Sequence, residues 1–230
     1  MPKKHTGRAI RGSQFHLQNL VNENPKHLNQ AIWACSPTLK AWAASNPVWV
    51  SPLEAGDYEE YRDRRFLERV NCSEFAPLLR TFWPRGGPVW DGLASLTGKD
   101  KSKGVILLEA KSHIGEVISP YYSCKASLKS RSRISDSINM VKSALGVGNE
   151  YDWLGDVYQH ANRIAHLYFM RQIAQVPTWL VYLYFLGDIE QQGPQEQEEY
   201  QEVLSVVKSK LGLTNSHMLS DYIVTVFLRF

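Results

Sequence analysis

The sequence predicts an α/β fold, a mixed central sheet flanked by helices. Three observations carry this expectation. After Pro88 the pattern changes period, from charged helical stretches to short runs of β-branched and aliphatic residues. The later part of the chain runs helix, strand, helix, strand, an order that favours a sheet covered by helices. The 230 residues, 43% hydrophobic and 21% charged, are enough for one sizeable core.

The elements follow in chain order. Residues 1–12 read as a loose basic arm, and 13–46 as short helices. The stretch "NPKHLNQAIWAC" can start a helix on Asn24 with Pro25 in its first turn. "NPVWVSP" reads as a loop because of its two prolines. "DYEEYRDRRFLERV", residues 57–70, predicts a charged helix anchored by Phe66, Leu67 and Val70, and a shorter helix follows over 74–82 until "WPRGGP" breaks it. "VWDGLASL" is a short strand, "TGKDKSKG" a turn, and "VILLEAKSH" the strongest strand pattern in the chain. "YYSCKASLKSRSR" is an irregular basic segment entering a helix over 134–145, which "GVGN" stops. A long helix is predicted over 152–174, then a buried strand "TWLVYLYFL". An amphipathic helix ending at Gly212 and a closing strand "DYIVTVFLRF" complete the order.

Composition narrows the function classes. Cys35, Cys72 and Cys124 show no paired spacing, which argues against a zinc knuckle or a disulfide framework and for buried thiols in a reducing compartment. The basic N-terminus lacks an apolar core of a secretory signal, and "VPTWLVYLYFLG" is too short to span a bilayer comfortably. A soluble, cytoplasmic protein with no membrane partner is expected. The net charge of +3 permits an acidic partner without requiring one.

The two middle strands carry the chemistry. Side chains alternate along a strand, so Val105, Leu107, Glu109, Lys111 and His113 share one face. On the preceding strand Asp91 shares a face with Val89 and Leu93, and the intervening turn can bring Asp91 beside Glu109. Two adjacent carboxylates raise each other's proton affinity unless a cation offsets them. Mg²⁺ does so with oxygen ligands, keeping several waters, and the Ala110 carbonyl is a reasonable third ligand. Lys111 can orient a water or stabilise charge on a phosphate. These parts suit phosphodiester hydrolysis. A plain salt bridge at a strand end is the competing reading of Glu109 and Lys111.

"PVWDGL" followed by "VILLEAK" resembles the PD-(D/E)XK nuclease superfamily, whose fold is the restriction-endonuclease-like one. The resemblance covers residues 55–190, within a nuclease-like domain over 51–230 that follows the arm and short helices of 1–50. It implies metal-dependent cleavage of nucleic acid, DNA more than RNA, with Mg²⁺ as the ion and Mn²⁺ able to substitute. Asp91 matches the family's metal-binding Asp, Glu109 its second acid and Lys111 its catalytic lysine. The chain departs from the pattern in two ways. Trp90 stands directly before Asp91 where the family often has Pro, and no strand is visible between Cys72 and Pro88 for the first core strand.

The family also implies supporting groups. An acid from the early helix would come from Glu59, Glu60 or Glu68, with Glu60 preferred. Gln159 matches a glutamine of exonuclease-like members, although Arg163 replaces the tyrosine expected four residues later. Gln159, Arg163 and His166 form one helical stripe that can approach the metal or the substrate backbone, or face water. Lys125, Lys129, Arg131 and Arg133, set among serines just after the motif strand, are expected to contact phosphates. His113 and Glu116 are weaker neighbours of the site. Double-strand cutting in this family often uses two copies, so a homodimer is implied as well. The competing functions are a catalytically inactive nucleic-acid-binding protein on the same scaffold and a protein-binding module with a surface Glu–Lys pair.

Overall fold

The apolar run Thr178–Leu186 is buried along its whole length, as a strand covered on both faces must be. The computed structural model describes residues 6–119, 121 and 123–229. Five strands form one mixed sheet in chain order: β1 (Val48–Ser51), β2 (Gly92–Thr97), β3 (Lys103–Lys111), β4 (Thr178–Leu186) and β5 (Ile223–Arg229). β1, β2 and β3 are antiparallel neighbours; β3, β4 and β5 run parallel. Parallel neighbours need crossovers, and helices supply them.

Helices cover both faces. α1 (Gly12–Glu23), α2 (Pro25–Cys35) and α3 (Pro37–Trp42) pack with Ile106, Leu108, Val181, Leu183 and Phe185. α4 (Asp63–Arg69), α5 (Ala76–Phe82), α6 (Leu128–Leu145), α7 (Tyr158–Tyr168) and α8 (Gln197–Leu211) pack with Leu93, Val105, Leu107, Leu180 and Tyr182. Odd and even positions of β3 therefore feed separate cores, as period-2 alternation requires. Among the described residues no helix is long and apolar enough to cross a membrane.

Several boundaries differ from the sequence reading. "NPVWVSP" holds β1, because Pro47 and Pro52 bracket the strand rather than interrupt it, and β1 lies at the sheet edge. Trp49 of β1 turns into the α1–α3 core, where its indole N–H donates to Asn29 at 2.9 Å. The helix predicted over 57–70 is shorter. Asp57 and Tyr58 take left-handed φ values of 54° and 53°, residues 59–61 run as a connection, and α4 begins only at Asp63. Tyr61 forms an isolated bridge to Trp90. α6 begins six residues earlier than expected, at Leu128; lysine and arginine are good helix formers, and its exposed first turns need no apolar face. The helix predicted from 152 starts instead at Tyr158, since 152–157 fold into turns. Trp153 in those turns is buried and donates its N–H to the Leu211 carbonyl at the end of α8, 2.9 Å away. α7 continues as a π-helical turn, Phe169–Ile173. Cys72 and Cys124 are buried thiols, but Cys35 is exposed at the end of α2.

Leu180 is fully buried in β4, whereas Val206 on α8 is half exposed. Leu180→Ala is expected to cost about 2–5 kcal/mol in urea unfolding, and Val206→Ala less than about 0.5 kcal/mol.

Candidate functional site

β2 and β3 converge on the site through their register. Gly92 pairs with Leu108, so the residue before it, Asp91, comes level with Glu109. One Asp91 carboxylate oxygen accepts a 2.8 Å hydrogen bond from the Ala110 N–H. Ala110, expected to contribute a carbonyl, thus joins the site through its amide.

Glu109 is the most enclosed member, at 2% exposure, with Lys111 at 6% and Arg163 at 7%. Lys111 Nζ lies 2.6 Å from Glu109 Oε1. Arg163 reaches across from α7 and places Nε at 2.8 Å and Nη2 at 2.7 Å from Glu109 Oε2. The same guanidinium donates to the Val89 carbonyl at 3.2 Å and to Asn162 at 2.8 Å, and lies 5.7 Å from the centre of the Trp90 ring. Burial pushes Glu109 toward protonation, but Arg163 and Lys111 outweigh it and hold the carboxyl below its ordinary range. Arg163, expected at substrate phosphates, is therefore the counterion of Glu109.

Glu60 reaches the site from the connection before α4. Gln14 of α1 donates to it at 2.7 Å. Its two rivals are occupied elsewhere: Glu59 accepts both guanidinium branches of Arg65 at 2.7 and 2.8 Å, and Glu68 pairs with Arg64 at 2.6 Å. Burial, then the charge of Asp91, raises Glu60 to about 8. Burial, then Glu109, raises Asp91 to about 7. Among the described residues, Lys111 and Arg163 are both bonded to Glu109.

Gln159 sits in the first turn of α7, and its buried carbonyl oxygen has no hydrogen-bond partner among the described residues. His166 belongs to the aromatic core. It packs 5.0 Å from Trp83, its Nδ1 lies 2.7 Å from the Asn162 carbonyl, and burial pushes it down to about 4. Glu116 accepts from the Ser112 N–H at 2.6 Å and from the Ser13 hydroxyl at 3.2 Å, with His113 3.9 Å away. Lys125, Lys129, Arg131 and Arg133 are all exposed, the last three on α6. Arg131 donates to the Cys124 carbonyl and Arg133 to the Arg80 carbonyl.

Gln14, Ser13 and the pairing of Arg163 with Glu109 escaped the sequence reading. Gln14 lies 46 positions from Glu60 and Arg163 lies 54 from Glu109, and nothing local marks either pairing. Among the described residues no group of three or more His, Cys, Asp and Glu side chains is arranged to hold a metal ion. Comparison with known proteins finds no matching family model, no matching curated protein and no matching solved structure.

Two outcomes follow from this charge pattern. Arg163→Ala leaves a buried carboxylate short of a counterion and is expected to destabilise the fold by about 3–5 kcal/mol in urea unfolding. Asp91 and Glu60 bind protons more tightly folded than unfolded. The stability they contribute is complete below their unfolded values, near 4, and is lost as pH rises through about 7 and about 8. In EDTA, Asp91→Asn should match the parent near the lower limit and exceed it above the upper one, by on the order of 1–3 kcal/mol. Unfolding across that pH range checks the sign.

Proposed function

We propose that this protein is a divalent-metal-dependent nuclease of restriction-endonuclease-like fold, acting on phosphodiester bonds in DNA. One observation carries the reading: the register of β2 and β3 brings Asp91 level with Glu109, with Lys111 on the same strand face and Glu60 near enough for the charge of Asp91 to raise it. A hard divalent ion with oxygen ligands fits such a pair. The unpartnered Gln159 oxygen fits as well, since it can accept from a metal-bound water. Asp91 and Glu60 would hold Mg²⁺, or Mn²⁺ in its place, with Glu109 beside them. The ion supplies an activated water and a clamp on a phosphate oxygen.

The chain's own residues divide the remaining work. Arg163 keeps Glu109 ionised and fixed, and through Val89 it steadies the approach to Asp91. Lys111, held on the same strand face, offers an ammonium to charge developing on the phosphate. Gln14 orients the Glu60 carboxylate. The exposed cations Lys125, Lys129, Arg131 and Arg133 neutralise substrate phosphates. The element order supports the fold reading: three antiparallel strands, a helical crossover, and a fourth strand parallel to the third. A helix precedes β2 in this scheme, while β1 lies before that helix.

A second reading, nucleic-acid binding without catalysis on the same scaffold, is favoured by the occupied state of Glu109, whose two oxygens both carry cationic donors. Cleavage assays separate the two. Purified protein is incubated with linear, nicked and single-stranded DNA and with RNA, in Mg²⁺ or Mn²⁺. The parent should cut, and Asp91→Ala and Lys111→Ala should each lose about 10²-fold or more in rate while circular dichroism shows a retained fold. Cutting by Asp91→Ala at the parental rate would remove the nuclease reading; binding without cutting by the parent would favour the second.

A further inference from the structure

A second basic feature lies away from the Lys125–Arg133 segment. α4, α5 and the 83–88 loop enclose a cleft of about 630 Å³, lined among others by Arg64, Arg80, Arg85, Ser73 and Trp83. The three arginines come from three separate segments, so no local run of charge in the sequence announces the cluster. All three are exposed. Arg80 and Arg85 make no side-chain hydrogen bond or ion pair with any described residue, and Arg64 is paired only through Nε with Glu68. The cleft's one acid, Asp63, is already engaged: its carboxylate accepts from the Gly86 N–H at 3.1 Å and the Gly87 N–H at 2.9 Å. Arg80 and Arg85 are left without a carboxylate partner among the described residues.

The walls of the cleft lead straight into the site. Asp63 follows Glu60 by three residues, and Arg85 precedes Asp91 by six. At about 3.6 Å per residue, these spans are at most about 11 Å and 22 Å. One strand of DNA advances about 3.4 Å per nucleotide, so Arg85 falls within about six nucleotides of a bond held at Asp91. The far side of the cleft joins the other basic segment, because Arg133 of α6 donates to the Arg80 carbonyl at 3.2 Å.

We propose that Arg64, Arg80 and Arg85 form a phosphate-binding cleft that holds the backbone of a nucleic-acid strand flanking the site, continuing the path begun by Lys129 and Arg133. This rests on the nucleic-acid reading of the site but not on cleavage. Asp63 keeps the path in place by gripping the 83–88 loop. A Cβ at Gly87 would meet Asp63 Oδ1 and His166 Nε2 at 3.1 Å, so the loop has little room to shift.

The test is binding of a fluorescent duplex of twenty base pairs, and of its single strand, in EDTA over a salt series. Arg80→Ala/Arg85→Ala is compared with the parent and with Lys26→Ala/Lys40→Ala, whose lysines sit on α2 and α3 over the opposite sheet face. Losing two phosphate contacts should reduce the duplex salt slope by about 1.8, so that the parent's loss of affinity between 50 and 200 mM salt is about tenfold steeper than the variant's. Melting temperatures should be equal, since neither arginine's side chain has a hydrogen-bond or ion-pair partner among the described residues. An unchanged slope in the arginine variant, or an equal drop in the lysine control, would overturn the cleft whether or not the parent cuts DNA. A parent that binds with the expected slope difference but never cuts would uphold the cleft and remove the nuclease. A parent that binds neither form of DNA would overturn both. A slope change confined to one form identifies which strand state the cleft takes.

Discussion

The ionised carboxylate of Glu109, sealed between β3 and α7, is the constraint on which the site depends. A charge removed from water must be paired and hydrogen-bonded or it neutralises itself. Lys111 answers from the same strand face, two residues on, and Arg163 answers from α7. Arg163 then ties a third segment, because it also holds the Val89 carbonyl two residues before Asp91. One buried charge thereby fixes the relative placement of β3, α7 and the entry to β2. The hydrogen bond from Ala110 to Asp91 closes the same loop from the strand side.

The two helical layers meet at this end of the sheet. α1 belongs to the core opposite α7, yet its first turn supplies Gln14 to Glu60 and Ser13 to Glu116. His16, one turn further, lies 2.9 Å from Asp188 just beyond β4. The N-terminal helices are therefore more than a cover for Ile106 and Leu108; they hold polar groups at the strand ends. On the other layer, Asp63 caps the 83–88 loop through two glycine amides, and Gly86 takes the left-handed φ of 92° that this approach requires. Glu60 is thus held from the α1 layer, and Glu109 and the approach to Asp91 from the α7 layer.

Much of this was legible in the chain. β3, β4, β5 and α8 followed from continuous apolar runs and from the amphipathic pattern closed by Gly212. The approach of Asp91 to Glu109 followed from period-2 alternation and a turn between the strands. What stayed hidden depended on distant partners. Two prolines made β1 look like a loop, because only its pairing with β2 and the burial of Trp49 make it a strand. The dense charges of 57–62 looked helical, yet Glu59 pairs with Arg65, and Asp57 and Tyr58 turn left-handed. Arg163 looked like a cation for substrate because the sequence alone did not show that Glu109 would be buried opposite it.

The distribution of charge also limits what the site can do. Among the described residues, Lys111 and Arg163 are both bonded to Glu109. Burial, and after it the charge of a neighbouring acid, raises the proton affinities of Asp91 and Glu60 together. A proton relieves the pair at low pH. Above about 7 to 8 that relief is withdrawn, and the two ionised carboxylates repel each other. On the nuclease reading, Asp91 and Glu60 would hold a divalent ion only once these protons have left. Lys111 and Arg163 stay on Glu109, and either cation moved to Asp91 would lower its affinity for a proton and, on the nuclease reading, for the ion.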